Sequence, residues 1–471
     1  MEGPSSRTAE GSAELVGGVF AVIESDPGSL RLHMTWRTRS NAVIGVFTTL
    51  LHKLGVRGLE VTEIYDIEPW ATDHLDPHGL IFCYMCTDSE ETNTSALEGE
   101  DAEKVWFANQ LSNDACASHA LLNVLLNCPH VDLGGELQEL QAVTAEISPV
   151  MRGLAVSSSQ FIRDAHNSLA RPADIRGSLQ VIARATLEAD KARVKAAKGP
   201  PTKKRKTIAS PSKSTENGDQ MQEQYHFIGY VPAHGKVWEL DGLQRTAIEV
   251  SELDSQSSSG SSTRGWMDIV RPALRMKMHA YMASENDHVR YNLLAIVDEK
   301  YLSASDELEM RKRERQAIER RLQDAYPEGW TDKVNDVLLT SAEEAFATSL
   351  RPATEGRVFA NDFGSRKLEK DVHILDMAAR KLPDAWNACV EAALAAKVAV
   401  EEEITKARDT QTDHIKRTFD YEPFITQFIT CMHNEGLLEA AMHRGNIKED
   451  DAQEPAVKTP TKRSRKAKAK T

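Results

Sequence analysis

The stretch "NQLSNDACASHALLNVLLN", residues 109–127, sets the reading of the chain. Leucines at 121, 122, 125 and 126 recur at helical spacing, and the lone Cys116 stands just ahead of them. Asn113 or Asp114 is placed to cap a helix that starts there. A cysteine in a helix's first turn faces the positive end of the dipole, an environment that favours the thiolate. The plainer alternative is a packed structural cysteine, since free cysteines are among the most buried residues. Position alone does not decide between them.

Working outward, "HGLIFCYMC" (78–86) is an unbroken apolar run of strand length, and "RYNLLAIVD" (290–298) is another. "YHFIGYVPAHGKVWELDGL" (225–243) reads as strand, turn, strand, bent at Pro-Ala-His-Gly. "GGVFAVIESDPG" is a strand-like run that Asp-Pro-Gly ends, and "VFTTLLHKLG" (46–55) is a helix closed by glycine. Strands and helices mix without a strict repeat, which indicates an α+β or irregular α/β domain.

Three partners bear on Cys116. Gln110 lies six residues upstream, where its amide could donate to an oxyanion alongside the Cys116 N–H, or simply sit at the surface. His226, between Tyr225 and Phe227, is either a hydrogen-bonded core histidine or a base. Asp241 in "WELDGL" is expected on the neighbouring strand, where a carboxylate would fix the imidazole tautomer. The Asp-Gly pair alone would suggest a turn. Each signal is weak, but the order Gln, Cys, His, Asp with these placements is stronger.

Composition bounds the rest. At 471 residues the chain can bury a sizeable core in two or more domains. No run of about 18 apolar residues suits a membrane span, and the polar N-terminus has no signal-peptide pattern. Six cysteines without framework spacing suit a reducing compartment. A formal charge of −14 argues against general nucleic-acid binding. Cys83 and Cys86 form a CxxC, but a zinc site needs four ligands and no second pair exists. "GPPTKKRK" and "KRSRKAKAK" are basic runs in flexible segments, read as solvated or as nuclear-import signals.

The sequence resembles the ubiquitin C-terminal hydrolases, papain-like thiol proteases acting at the C-terminus of ubiquitin. The resemblance rests on "FANQLSNDACASHALLNVLLN", "YHFIGYVP" and "ELDGL", supported by "FAVIESDPG", "LEVTEIYDIEPW", "HGLIF", "MRGLAVSSSQFIRDAHNSLAR" and "YNLLAIV". It implies a papain-like α+β domain over 17–300 with an antiparallel-rich sheet flanked by helices. It also implies that Cys116 is the nucleophile, His226 the general base and acid, Asp241 its orienter and Gln110 the oxyanion donor. No metal or organic cofactor is implied. Residues 171–224 correspond to the loop that crosses over the active site in that family; a long flexible crossover would admit larger leaving groups. "SLRLHMTWRTRSNAVIG" (29–45) departs from the family pattern, as a lineage-specific loop or as sequence wrongly kept in the gene model.

The C-terminal half is similar to the long branch of the family. Residues 303–418 read as a helical or coiled-coil linker, with "DELEMRKRERQAIERRLQDAY" a solvated helix of few core residues and "DAWNACVEAALAAKVAVEEEITKARDTQTDHIKR" a second long helix. "YEPFITQFITCMHNEGLLEAAMHRG" within 419–447 reads as a helical hairpin whose apolar face needs a partner. By resemblance that partner is a proteasomal ubiquitin receptor. Residues 1–16 and the basic 448–471 read as disordered. The expectation is a ubiquitin-cleaving thiol protease of cytoplasm and nucleus with no specific nucleic-acid or membrane partner. A chromatin-associated hydrolase of the tumour-suppressor type and a non-catalytic ubiquitin-binding scaffold are the alternatives.

Overall fold

The computed structural model describes residues 18–23, 36–86, 101–197, 224–253, 265–282, 291–346, 359–360 and 362–439. They fall into two units, one reaching to Phe419 and one starting at Asp420.

In the first unit the described strands are β1 (Leu59–Glu63), β2 (Gly79–Cys86), β3 (Gln224–Ala233), β4 (Lys236–Leu240), β5 (Ile248–Glu252) and β6 (Tyr291–Asp298). They form one antiparallel sheet in the order β1-β6-β2-β3-β4-β5. Strand β2 shows why its sequence lacks alternation. Ile81 and Cys83 point into one apolar cluster, while Leu80, Phe82 and Tyr84 point into the other. A strand covered on both faces must be apolar throughout. The turn between β3 and β4 falls where the sequence bends: His234 and Gly235 have φ of 53° and 77°, the left-handed pair of a tight hairpin.

The helices described in this unit are α1 (Trp36–Lys53), α2 (Pro69–Thr72), α3 (Cys116–Leu125), α4 (Gly134–Thr144), α5 (Pro149–Ser158), α6 (Gln160–Asn167), α7 (Pro172–Ala197), α8 (Trp266–Met282), α9 (Lys300–Ala325), α10 (Asp336–Phe346), α11 (Phe363–Asp376) and α12 (Leu382–Thr418). Helices α1, α3 and α6 contribute to one sheet-face cluster, and α8 covers the other face through Trp266, Met267, Val270 and Leu274. Helix α3 lies unusually close to the sheet. A Cβ on Gly79 would stand 2.3 Å from Val124 Cγ1, and one on Gly229 would stand 2.7 Å from Val124 Cγ2. Only glycine lets the helix approach β2 and β3 this nearly.

Several expectations are corrected. Residues 18–23 form no strand, although Phe20, Ala21 and Ile23 are buried. Side chains take the place of a strand partner: Ala21 N donates to Asn167 Oδ1 (2.9 Å), and Asn167 Nδ2 donates to Val19 O (2.7 Å). Part of the 29–45 stretch is helix and not loop, since α1 begins at Trp36 and runs unbroken into "VFTTLLHK". The crossover region begins with the 26-residue helix α7, so a loop flexible throughout is not what the chain forms there. Residues 198–223, including "GPPTKKRK", lie outside the described residues, as do 1–17, 29–35 and the tail from 440 on.

Helix α9 carries more core than its charge pattern suggests. Leu308, Ile318 and Leu322 are buried with Trp386, Cys389, Val390 and Ala393 of α12. The apolar stripe is interrupted in sequence by arginines that pack as well as pair: Arg315 lies 4.7 Å from the Phe346 ring centroid while bonding Glu319. Beyond Val400, α12 reaches the sheet edge and the chain's start. Lys406 pairs with Glu60 (3.2 Å), and Arg417 donates to Leu169 O (2.9 Å) and to Ile23 O.

The second unit contains α13 (Glu422–Asn434), ended by Gly436 at φ 69° and a further turn over 437–439. Phe424, Ile425, Phe428 and Ile429 are exposed along it. The rest of the expected hairpin lies outside the described residues.

Candidate active site

Cys116 is the first residue of α3 and is 5% exposed. Neither Asn113 nor Asp114 stands at the N-cap position, which Ala115 occupies. A short 3₁₀ turn over Asn113–Ala115 displaces both polar residues from the cap. All ten residues of α3 are buried, including the polar ones.

Those polar residues shape the segment that leads to Gln110. Asn123 Oδ1 accepts from Ala108 N (2.9 Å) and its Nδ2 donates to Ala108 O (3.2 Å). One turn on, Asn127 repeats the pattern with Trp106, at 2.8 and 2.7 Å. Two asparagines spaced i, i+4 thus act as a strand partner for 106–108. Arg152, buried on α5, adds bonds to the carbonyls of Val105, Phe107, Thr144 and Ala145. None of these three residues stood out in the sequence. An asparagine pair on the apolar helix was the available signal.

His226 lies on β3, opposite Tyr84 of β2, whose ring meets the imidazole edge-on with centroids 5.5 Å apart. Its Nε2 is 2.7 Å from Asp241 Oδ1, and both residues are buried. Asp241 is not on β4 but directly after it. It also opens a turn, with Gln244 N donating to Asp241 O (2.9 Å) and Leu243 N to Asp241 Oδ1 (3.0 Å). The turn and the histidine partner are therefore one residue. Burial works to raise the Asp241 carboxyl, but the hydrogen bond and charge of His226, the Leu243 amide and the Lys277 charge outweigh it and hold it below the usual range. An ionised Asp241 accepts a hydrogen bond from Nε2–H, which leaves Nδ1 with the lone pair of a base.

Gln110 N donates to Gly242 O (2.8 Å), next to Asp241. A Cβ on Gly242 would meet Gln110 Cβ at 3.0 Å, so the two backbones touch. The structure thus brings Gln110, Asp241 and His226 together. Cys116 stands at the start of the helix whose Val124 packs on Gly229, on the same strand as His226.

Two other histidines near Cys116 have different surroundings. His119 Nδ1 bonds Ala115 O (3.1 Å), and His166 bridges Ser118 Oγ and Ala21 O, each at 2.8 Å. Burial pushes both down to about 4, so they are neutral near pH 7. Cys83 is buried in the sheet core, and among the described residues no group of three or more potential metal ligands occurs.

The family model described as "Ubiquitin carboxyl-terminal hydrolase, family 1" matches residues 38–279, just over half of the chain. A second, "Ubiquitin carboxyl-terminal hydrolases", matches residues 395–438. The chain is 28% identical over 290 residues to ubiquitin carboxyl-terminal hydrolase isozyme L5 of Dictyostelium discoideum, covering 61% of this chain and 65% of that protein. It is 27% identical over 282 residues to ubiquitin carboxyl-terminal hydrolase ubh-4 of Caenorhabditis elegans, covering 59% and 67%. The match thus spans about two thirds of these relatives' lengths. A crystal structure of the Trichinella spiralis UCH37 catalytic domain bound to ubiquitin vinyl methyl ester is similar over 61% of this chain and 99% of that one, at 26% identity and a TM-score of 0.41. With its antiparallel sheet flanked by helices and its helical C-terminal part, the chain belongs to family 1 of the ubiquitin carboxyl-terminal hydrolases.

Proposed function

We propose that the protein is a thiol-dependent deubiquitinase that cleaves the bond at ubiquitin's C-terminal glycine. The observation that carries this reading is the buried His226–Asp241 pair, bonded beside Gln110, with His226 on the strand against which the Cys116 helix packs. In the proposed cycle the Cys116 thiolate attacks the glycine carbonyl. The carbon–sulfur bond forms as the carbonyl electron pair moves onto oxygen, where the Gln110 amide and a main-chain N–H stabilise it. His226, protonated through Nδ1, returns that proton to the leaving amine as the carbon–nitrogen bond breaks. Water, deprotonated by His226, then hydrolyses the thioester. Family membership and the named relatives support the substrate class.

Ubiquitin bearing a thiol-reactive C-terminal group tests the reading. Peptide mapping is expected to place a single adduct on Cys116. An adduct on another cysteine, or none, would overturn it.

The reading extends to regulation. The exposed Phe424, Ile425, Phe428 and Ile429 of α13 give the second unit an apolar face suited to a proteasomal ubiquitin receptor. Phe424→Asp combined with Phe428→Asp is expected to abolish co-elution with that receptor while leaving the adduct on Cys116 intact. Unchanged co-elution would count against this docking. The two basic runs support residence in both nucleus and cytoplasm, to be checked by microscopy of the tagged chain with each run deleted.

A further inference from the structure

Asn109, the residue before Gln110, holds more of the site than its place in the sequence suggests. Its main-chain N–H donates to Pro149 O (3.0 Å) at the start of α5. Its side-chain Nδ2 donates to Gln244 O (2.5 Å) and to Gly242 O (3.4 Å). Gln110 N donates to that same Gly242 carbonyl (2.8 Å). From the other side, α5 lies directly on Asn109: a Cβ on Gly153 would come within 2.0 Å of the Asn109 carbonyl oxygen. Asn109 is therefore anchored to a helix by its backbone, and its amide reaches across to the turn over 241–244.

That turn needs such a tether. It carries the carboxylate that holds His226, yet it lies between β4 and β5, outside the strand ladders, and is closed by the main-chain bond from Gln244 N to Asp241 O. The amide also brings a disadvantage that a packing residue would avoid. Asn109 Oδ1 is buried with no hydrogen-bond partner among the described residues. Buried polar atoms are nearly always paired, so what this position uses is the two donated bonds.

We propose that Asn109 is a positioning residue: its amide ties the turn carrying Asp241 to the segment carrying Gln110, so that the histidine's orienter and the oxyanion donor keep one fixed geometry. The proposal rests on the catalytic roles assigned above to Cys116, His226, Asp241 and Gln110. It is independent of the docking surface on α13.

The test is steady-state kinetics of the full chain on ubiquitin with a fluorogenic C-terminal amide, with thermal midpoints measured in parallel. Asn109→Ala is expected to lower kcat about 10-fold, because a small misplacement of catalytic groups is enough for that, and to leave KM within about two-fold. The thermal midpoint is expected to move by no more than about 2 °C, since the lost bonds are offset by removal of an unpaired buried acceptor. In an Asp241→Ala background the same change is expected to lower kcat clearly less than in the parent chain, because the carboxylate that the tether positions is already gone. Asn109→Ser, small and polar but too short to bridge the turn, serves as the second variant and is expected to behave alike.

Equal losses in the two backgrounds, or a lowered midpoint with kcat unchanged, would overturn the proposal and leave Asn109 a structural residue. The ubiquitin adduct separates this from failure of the underlying reading. An adduct on Cys116 in the parent chain with additive losses defeats the proposal alone. No adduct on Cys116 defeats the catalytic assignment and the proposal with it.

Discussion

His226→Ala is expected to lower kcat for cleavage of a ubiquitin C-terminal amide by about 10⁴-fold, and Asp241→Asn by only about 10- to 100-fold. In the proposed cycle the first removes the base for attack, the acid for departure of the amine and the group that generates the thiolate. The second leaves the imidazole in place. In serine-protease triads the corresponding amide costs about 10⁴-fold because the wrong tautomer results. The geometry differs in one respect that matters. Asp241 Oδ1 alone accepts from both His226 Nε2 and Leu243 N, at 2.7 and 3.0 Å. An asparagine with its oxygen at that position keeps both bonds and the Nδ1 lone pair, losing only the charge that steadies the imidazolium. Cys116→Ala is expected to fall at least as far as His226→Ala in turnover while still binding ubiquitin. Stopped-flow or steady-state kinetics on the three variants decides the matter, and equal losses for His226→Ala and Asp241→Asn would count against the separation of roles.

The second large effect is on stability in acid. His119 and His166 are wholly buried, and burial first of all holds each down to about 4 from the ordinary 6.5; the charge of His119 further disfavours that of His166. Above pH 6.5 neither state of the chain protonates them, and their full contribution is present. As pH falls from 6.5 toward 4, the unfolded chain takes up two protons that the folded chain refuses, so stability is lost across that window. A gap of this size corresponds to roughly 3 kcal/mol per histidine. Together that approaches the whole stability of a typical domain, about 5–15 kcal/mol. Glu60 and Glu63, raised chiefly by burial, act the other way: lowering pH through their raised values relieves the cost of their buried charge. Asp241, held low by its partners against burial, adds a loss of stability only at more acidic pH. Urea unfolding at pH 7.5, 6.5, 5.5 and 4.5 is expected to show a steep fall below 6.5, made shallower by His166→Asn. A flat profile between 6.5 and 5 would sink this account.

Much of the fold was legible because it is written locally. The apolar runs at 78–86 and 290–298 had to be strands covered on both faces, and they lie next to each other as β2 and β6. The hairpin was legible from His-Gly at its tip. In the site, Cys116 at a helix start and His226 on a strand followed from pattern. The contact between His226 and Asp241 followed from hairpin logic even though Asp241 lies one residue past the strand. What pattern missed was side chains serving distant backbone. Asn123 and Asn127 pair with 106–108, Asn167 with 19–21, and Asn109 with the turn at 241–244, the last across more than 130 positions. Such bonds leave no period in the sequence, and asparagine is equally at home in a turn or at a surface.

The same division holds for the chain as a whole. By itself the sequence determined the strands at 78–86, 225–240 and 290–298, a helix starting near Cys116, and the order of Gln110, Cys116, His226 and Asp241, because propensity, turn chemistry and hydrophobic period act over a few residues. Only the tertiary structure decided that α9 is a core helix despite its charges, that Phe20 to Ile23 are buried without being a strand, and that Arg417 reaches the carbonyls of Ile23 and Leu169. Those outcomes depend on what packs against a segment from elsewhere in the chain. A narrow apolar stripe or an unpaired carbonyl takes its meaning from a partner hundreds of residues away.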